Sequence, residues 1–304
     1  MDLKPSDSRI NATPTSQISL SAIQTPTDEP QHYGLRVLIE SEATGVRLGL
    51  SDLWAYRELL YFLTLRDIKV RYKQTMMGVA WVIIQPLMTM LIFTLVFNRF
   101  VRLDTAPLPY PLFALSGLLL WLFFANAVTN STNSLISNAH LITKVYFPRT
   151  FIPAASVGAG LVDLAIPFLM LIALAIYYGV TLTWSVLLLP LFILMMTLLA
   201  LSVGLLSSAL TVKYRDLRHG LPFLIQLWMF ASPVIYPTSV VPERWKWLLV
   251  INPVASIIEG FRAALTGRSF DWLHLAISAA ITLALLFCSF YVFRRVEDTF
   301  ADLV

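Results

Sequence analysis

The chain alternates between long apolar blocks and short polar stretches, and the blocks set its architecture. Each block runs for roughly 20 residues, the length at which an α-helix crosses about 30 Å of hydrocarbon. We therefore predict an all-α membrane protein with six transmembrane helices. Their predicted bounds are Gly78–Asn98, Tyr110–Asn130, Phe151–Tyr178, Trp184–Val212, Gly220–Tyr236 and Trp272–Phe293.

Two polar regions precede the first block. Residues 1–45 are rich in Ser, Thr, Pro, Asp and Gln and lack a helical or strand period, which predicts a disordered cytosolic tail. No signal-peptide segment precedes residue 50, so we expect the N-terminus to stay in the cytosol. Residues 46–77 mix apolar and charged positions, which favours an amphipathic helix at the membrane interface; a buried soluble helix is the alternative. Residues 78–304 form the transmembrane domain.

The stretch between the fifth and sixth blocks is long for an external loop and rich in apolar residues. Pro242 marks a helix start, Asn252–Pro253 breaks that helix, and a second helix is expected at Val254–Leu265. We predict a re-entrant helical pair that shapes the outer mouth of a path, because such backbone must pack on protein or line a wet cavity. Glu259 and Arg262 share a face of the second helix. A plain surface loop is the alternative.

Composition and charge agree with a membrane location. The chain is 57% hydrophobic and only 13% charged, which is too apolar for a soluble domain. The net charge of +4 arises from cations beside the apolar blocks, so it indicates topology rather than nucleic-acid binding. Lys and Arg near span ends number twelve on the side of the N-terminus and six on the other. This excess predicts that both termini are cytosolic.

Residues with catalytic or ligand-binding chemistry are scarce. The sequence has no G-x-x-x-x-G-K-[ST] phosphate loop, no His/Cys cluster, no H-E-x-x-H and no G-x-S-x-G, so we expect no ATP site and no metal site. Asp163 is the clear ionisable residue inside a span, and a hydrogen-bonded structural carboxyl is favoured over a transport role. Energy for any transport is therefore expected from another chain.

Five strings in order along the chain carry a family resemblance. They are YRELLYFLTLRDIKVRYKQTMMGVAW (56–81), YPLFALSGLLLWLFFANA (110–127), LITKVYFPRTFIP (141–153), KYRDLRHGLPFLIQLWMFASPVIYP (213–237) and INPVASIIEGFRAAL (251–265). Over about residues 50–300 the chain resembles type-2 ABC transporter permeases that export lipid-linked polysaccharides or polyol phosphates, such as O-antigen, capsule and teichoic-acid exporters. The longer N-terminal tail departs from the family pattern.

The resemblance implies a permease that moves a lipid-linked, O-antigen-like polysaccharide across the bacterial inner membrane in lipopolysaccharide biosynthesis. It implies a homodimer with two P-loop ATPase subunits that hold ATP and Mg, so this chain is a transport subunit and not an enzyme. One alternative is a membrane-embedded glycosyl- or acyltransferase, which would need paired acidic residues or a His base at a cavity rim. Another is an ABC permease for a small lipid or drug.

Besides Glu259 and Arg262, the candidate site residues fall into three groups. The resemblance makes residues 138–149 the cytosolic coupling element, with Lys144, Tyr146, Phe147, Pro148 and Arg149 on one short exposed segment; an interfacial anchor is the alternative. It makes the helix before the first span a lateral gate, where a carrier pyrophosphate or simple headgroups would meet Arg66, Lys69, Arg71 and Lys73. Aromatic residues that could stack on sugar rings, or only pack, are Trp81, Phe93, Phe97, Trp121, Phe124 and Trp228.

Overall fold

The described part of the chain is helical, as the apolar blocks predict. The computed structural model describes residues 56–73, 78–101, 103–144, 147–181 and 183–297, and these ranges contain no strand. Their α-helices are α1 Arg57–Lys73, α2 Gly78–Phe93, α3 Tyr110–Ser137, α4 Ala139–Lys144, α5 Phe151–Tyr177, α6 Leu189–Lys213, α7 Leu217–Phe230, α8 Lys246–Ile251, α9 Pro253–Thr266 and α10 Trp272–Glu297. A π-helical segment, Thr94–Val101, extends α2, and a 3₁₀ helix, Trp184–Leu188, precedes α6. The predicted tail lies outside the described residues.

Five of these helices are long and apolar enough to cross a membrane. They are α2 with its π-helical extension, α3, α5, α6 with its 3₁₀ helix, and α10. These helices match the first four predicted spans and the sixth. The main difference among them is that α3 continues to Ser137, about two turns beyond the predicted end.

The predicted fifth span, Gly220–Tyr236, differs from the structure. α7 has 14 residues and ends at Phe230, and residues 231–236 form turns. The helix ends here because Pro233 lacks a backbone N–H and disfavours helical geometry in the residue before it. At 1.5 Å per residue α7 is about 21 Å long, which is shorter than the hydrocarbon layer of about 30 Å.

The connecting segments gather at two ends of the bundle. At one, called the Arg262 end, Arg268 donates to the Ala106 carbonyl at 2.5 Å and Ser185 donates to the Ala264 carbonyl at 2.9 Å. At the other, called the Arg149 end, the segment between α4 and α5 packs with the ends of α6 and α10. α7 begins just after α6, at the Arg149 end, and ends beside α9, at the Arg262 end. It therefore connects the two ends although it is short.

The predicted break at Asn252–Pro253 is present. α8 and α9 meet there at 93°, and the pair Glu243–Ile251 with Pro253–Thr266 is apolar enough to count together as a sixth span. The first half of the pair begins as a 3₁₀ turn, Glu243–Trp245, rather than as one continuous helix. Whether the pair re-enters the bilayer stays a prediction.

α3 is the central helix of the bundle. In its apolar stretch 78% of the residues are buried, against 11% for α2 and 17% for α10. α3 packs against α5 and α6, and small residues permit the close approach. A Cβ added at Gly204 of α6 would lie 2.6 Å from the Ser131 hydroxyl, and the Thr132 and Ser207 hydroxyls lie 2.8 Å apart. The outward sides of the other helices remain open to lipid or to another chain.

Candidate functional site

The predicted pair Glu259 and Arg262 lies in a hydrogen-bond cluster at the Arg262 end. Arg262 is 4% exposed. Its Nη1 donates to the Pro233 carbonyl at 2.7 Å and to Glu259 Oε1 at 3.0 Å. Its Nη2 donates to the carbonyls of Phe113 at 3.1 Å and Val234 at 2.7 Å. One guanidinium group thus joins α9 to the turn after α7 and to the first turn of α3.

The start of α3 is shaped to receive this arginine. The guanidinium carbon of Arg262 lies 3.5 Å from the centroid of the Phe113 ring, a cation–π contact, and its Nε donates to Ser116 Oγ at 3.3 Å. Gly117 leaves the necessary room. A Cβ at Gly117 would lie 2.3 Å from the Val234 carbonyl oxygen and 2.6 Å from Arg262 Nη2.

Asn252, at the bend between α8 and α9, joins that bend to the end of α7. Its Oδ1 accepts from Trp228 Nε1 at 3.0 Å and from the Val254 backbone N–H at 3.1 Å, so it caps α9. Its Nδ2 donates to Ser232 Oγ at 2.8 Å. The bend and the end of α7 therefore share one set of hydrogen bonds.

α1 lies along α5 and is held there by polar contacts. Asp163 accepts hydrogen bonds from Arg71 and from the Tyr72 hydroxyl, and Ser156 donates to Asp67 at 3.2 Å. Burial, aided by the bond to Asp163, raises the pKa of Tyr72 to about 12, so its hydroxyl remains a donor at physiological pH. Asp163 is thus hydrogen-bonded to a neighbouring helix, and its structural role stays a prediction.

The four cations predicted on α1 have different surroundings. Arg71 donates to Asp163, and Arg66 donates to the adjacent Asp67 at 2.8 Å. Lys69 and Lys73 are exposed. Of the four predicted cations, these two lysines therefore present their charge most openly to a ligand.

The predicted division of α1 into an apolar face and a charged face is not evident in its exposure. Leu63 is buried, but Tyr61, Phe62 and Val70 are each more than 60% exposed. The side against α5 includes Thr64 as well as the polar contacts of Asp67 and Asp163. Polar groups thus contribute to docking on α5, while apolar side chains point outward.

The predicted coupling segment is only partly exposed. Lys144, at the end of α4, is exposed, whereas the expectation of exposure is wrong for Phe147, which is 7% exposed and packs in the core at the Arg149 end. Arg149 donates from Nη1 to the Glu297 carbonyl at 2.5 Å, and its backbone N–H donates to Glu297 Oε1 at 3.1 Å. Pro148 is half-buried, and Tyr146 lies outside the described residues.

The six candidate path aromatics separate by burial. Trp121 and Phe124 are buried inside the bundle, and the Phe124 ring packs edge-on against Trp228 with centroids 5.2 Å apart. Phe93 and Phe97 are half-buried with ring centroids 5.9 Å apart. Trp81 is 59% exposed. Trp81 is the most open of the six, whereas Trp121 and Phe124 contribute to packing within one chain.

Sequence reasoning missed most partners of Arg262. Pro233, Val234 and Phe113 contribute backbone carbonyls, and a carbonyl leaves no signature in the residue type. Gly117 does leave a signal, because a glycine inside an apolar helix often marks a close backbone approach. Among the described residues, no group of His, Cys, Asp or Glu is arranged to hold a metal ion.

Comparison of the sequence with known proteins relates the chain to one family. The family model for the ABC-2 type transporter matches residues 58–266. The chain is 30% identical over 254 residues to the O-antigen export system permease protein RfbA of Myxococcus xanthus, covering 83% of this chain and 97% of that protein. It is 28% identical to the protein of the same name from Klebsiella pneumoniae, over 81% and 95% of the two chains. It is 24% identical to the polysialic acid transport protein KpsM of Escherichia coli, over 78% and 92%.

Proposed function

Because the chain belongs to the ABC-2 type transporter family, we propose that it is the permease subunit of an exporter for a lipid-linked, O-antigen-like polysaccharide. The observation that carries the proposal is the match to 97% of the length of an O-antigen export permease. ATP and Mg²⁺ bind a separate P-loop subunit, because this sequence has no phosphate loop. The permease itself makes no covalent bond.

Two copies of this chain and two ATPase subunits form the transporter in the bacterial inner membrane. The outward apolar sides of α2 and α10 support this assembly, because they offer surface for a second copy and for lipid. Both termini lie in the cytosol, so the Arg149 end faces the ATPase and the Arg262 end faces outward. The excess of Lys and Arg near the Arg149 end supports this orientation.

The segment between α3 and α5 is the coupling element. Lys144 and Tyr146 contact the ATPase, while Phe147 and Arg149 act within the permease. The support for this division is the burial of Phe147 and the two hydrogen bonds between Arg149 and Glu297. A displacement of α4 by the ATPase is thereby transmitted to the end of α10.

The region of residues 46–77, of which α1 is the described part, is the lateral gate of the permease domain at residues 78–304. The carrier pyrophosphate enters beside α1 and meets Lys69 and Lys73, whose exposure supports this role, before Arg66 and Arg71. Exposed aromatic rings at Tyr61 and Phe62 suit a helix that contacts lipid. The helix therefore has both the charge and the apolar surface that a lipid-linked anion requires.

Deletion of the gene in its native host tests the proposed function. We expect cells without this chain to lose their long surface polysaccharide and to accumulate the lipid-linked polymer inside, as measured by gel and by antibody accessibility. The full-length chain should restore export only with an active ATPase partner. The purified chain alone should hydrolyse no ATP.

Two results would contradict the proposal in different ways. Unchanged surface polysaccharide in the deletion strain would favour a permease for a small lipid or drug. A shortened or chemically altered polymer, without intracellular accumulation, would favour a transferase. A partner ATPase with its phosphate-loop lysine replaced is the matched control, because it blocks energy supply and leaves the permease intact.

A further inference from the structure

The Arg262 end contains a cavity that the proposed path does not account for. It has a volume of about 840 Å³, enough for a small sugar segment. Its walls come from the loop before α3, the segment after α7, the broken pair α8 and α9, and the start of α10. Asp104, Trp247 and Asp271 are exposed at its rim, so the cavity opens to the surface.

The walls of this cavity are tied to one another. Arg262 fixes α9 to α3 and to the turn after α7. Arg268, between α9 and α10, donates to the Ala106 carbonyl in the opposite wall, and Thr105 Oγ1 in that wall donates to the Leu108 carbonyl at 2.7 Å. A cavity held in shape this way loses little entropy when it binds a ligand.

The charges in the lining balance, and the cations are engaged. The lining holds three acidic residues, Asp104, Glu259 and Asp271, and three basic ones, Lys246, Arg262 and Arg268. It also holds His274, whose Nδ1 lies 2.5 Å from Asp271 Oδ2. Lys246 pairs with Glu243 at 2.5 Å, Arg262 is buried, and Arg268 binds a carbonyl. Glu259 accepts from Arg262 yet stays 39% exposed toward the cavity. Such a site offers carboxylate oxygens to hydroxyl donors and no open cation cluster to a polyanion.

Trp247 adds an aromatic surface beside these acceptors. It is 55% exposed and lines the cavity, together with the hydroxyl residues Thr238, Ser239 and Ser256. A ring face next to hydroxyl and carboxylate groups suits a pyranose ring, which has apolar faces and a hydroxyl edge. Resting on the proposed function, we propose that this cavity binds one or two neutral, hydroxyl-rich sugar units of the exported polymer.

Photo-crosslinking in the native host tests this site without knowledge of the glycan. Benzoylphenylalanine replaces Trp247 in one strain and Trp245 in another, since Trp245 is 47% exposed on the same segment but does not line the cavity. After irradiation the permease is purified and its attached glycan is measured by periodate oxidation and hydrazide labelling. We expect on the order of tenfold more glycan at position 247 than at 245, which corresponds to about 1.4 kcal/mol of preferential binding.

A second set of variants separates binding from folding. Trp247→Ala should abolish preferential crosslinking from a benzoylphenylalanine at Ser239, Trp247→Phe should restore it, and all variants should be recovered in normal amount. Equal labelling at 247 and 245, in cells whose surface polysaccharide depends on this chain, would overturn the cavity proposal alone. Surface polysaccharide that does not depend on the chain would overturn the proposed function itself.

Discussion

Arg262 is a buried cation that is satisfied largely by backbone. Its guanidinium donates to three carbonyls, to a hydroxyl and to Glu259. The carbonyls of Pro233 and Val234 follow the last turn of α7, where helical hydrogen bonding has ended. A planar group with five fixed donors can serve several acceptors that a single ammonium cannot reach together. Arg262 therefore holds the broken helical pair against α3 and the turn after α7.

Replacing Arg262 with lysine should destabilise the permease even though the charge is kept. Each buried carbonyl left without a donor costs about 1–3 kcal/mol, so we expect a loss of several kcal/mol in the free energy of unfolding. Thermal unfolding of the purified chain in detergent measures this loss. Glu243→Gln is the control, because the Glu243–Lys246 pair is exposed and such pairs contribute about 0–1 kcal/mol. Equal effects of the two changes would contradict the role of Arg262.

Among the elements, α1 depends most on a neighbour for its position. The contacts with α5 begin at Tyr56, directly before α1, which packs on the Phe151 ring, and they end at the bonds to Asp163. Between them, Gly158 allows close approach, since a Cβ there would lie 3.2 Å from Thr64 Oγ1. Leu63 adds apolar packing to this contact, but the polar part can separate more readily, because water can replace the lost hydrogen bonds.

A disulfide between α1 and α5 tests both the contact and its mobility. A Cβ at position 158 would lie 4.0 Å from Thr64 Cβ, within the usual disulfide range of about 3.5–4.5 Å. We expect Thr64→Cys with Gly158→Cys to crosslink on oxidation in a Cys288→Ser background, and to block export until reduced. Phe62→Cys with Gly158→Cys is the control pair, because Phe62 is 63% exposed on another side of α1. Crosslinked permease with normal export would show that α1 does not move.

Across the whole molecule, the predicted coupling segment contacts α10 directly at the Arg149 end. Arg149 contacts Glu297 through its backbone and its side chain. α10 in turn packs against α6, α8 and α9, and so reaches the Arg262 end. A displacement at the coupling segment can therefore reach the opposite end through one helix, without passing through the central α3.

This connection predicts different defects for neighbouring residues. Lys144→Ala should weaken ATPase binding, because Lys144 is exposed. Arg149→Ala and Glu297→Ala should leave ATPase binding intact. Each should reduce export per ATP hydrolysed by on the order of tenfold, which lies within the range of about 5–150-fold that typical coupling free energies produce. Co-purification and transport in vesicles measure the two quantities. Loss of the ATPase from the Arg149→Ala complex would instead make Arg149 a docking residue.

The sequence predicted the features that local patterns determine, such as spans and bends. It missed the features that depend on contacts between distant segments. Long apolar blocks located five spans, and Asn252–Pro253 located the bend, because both signals are local. The fifth span was predicted to extend to Tyr236, since the apolar residues Val234 and Ile235 follow Ser232 and Pro233 after the helix has ended. The burial of Phe147 depends on packing among distant helices, and the acceptors around Arg262 are mostly backbone atoms. Neither leaves a periodic pattern in the sequence.

The central position of α3 has a consequence for biogenesis. α3 is the least hydropathic of the five long helices, yet the ribosome releases it before α5 and α6 exist to cover it. Two of its buried hydroxyl groups already bond within the helix, because Thr132 donates to the Val128 carbonyl at 2.7 Å and Ser134 to the Ser131 carbonyl at 2.6 Å. A nascent α3 can thus stay in lipid with these hydroxyls satisfied by its own backbone. The contact of Thr132 with Ser207 can form only after α6 has been translated.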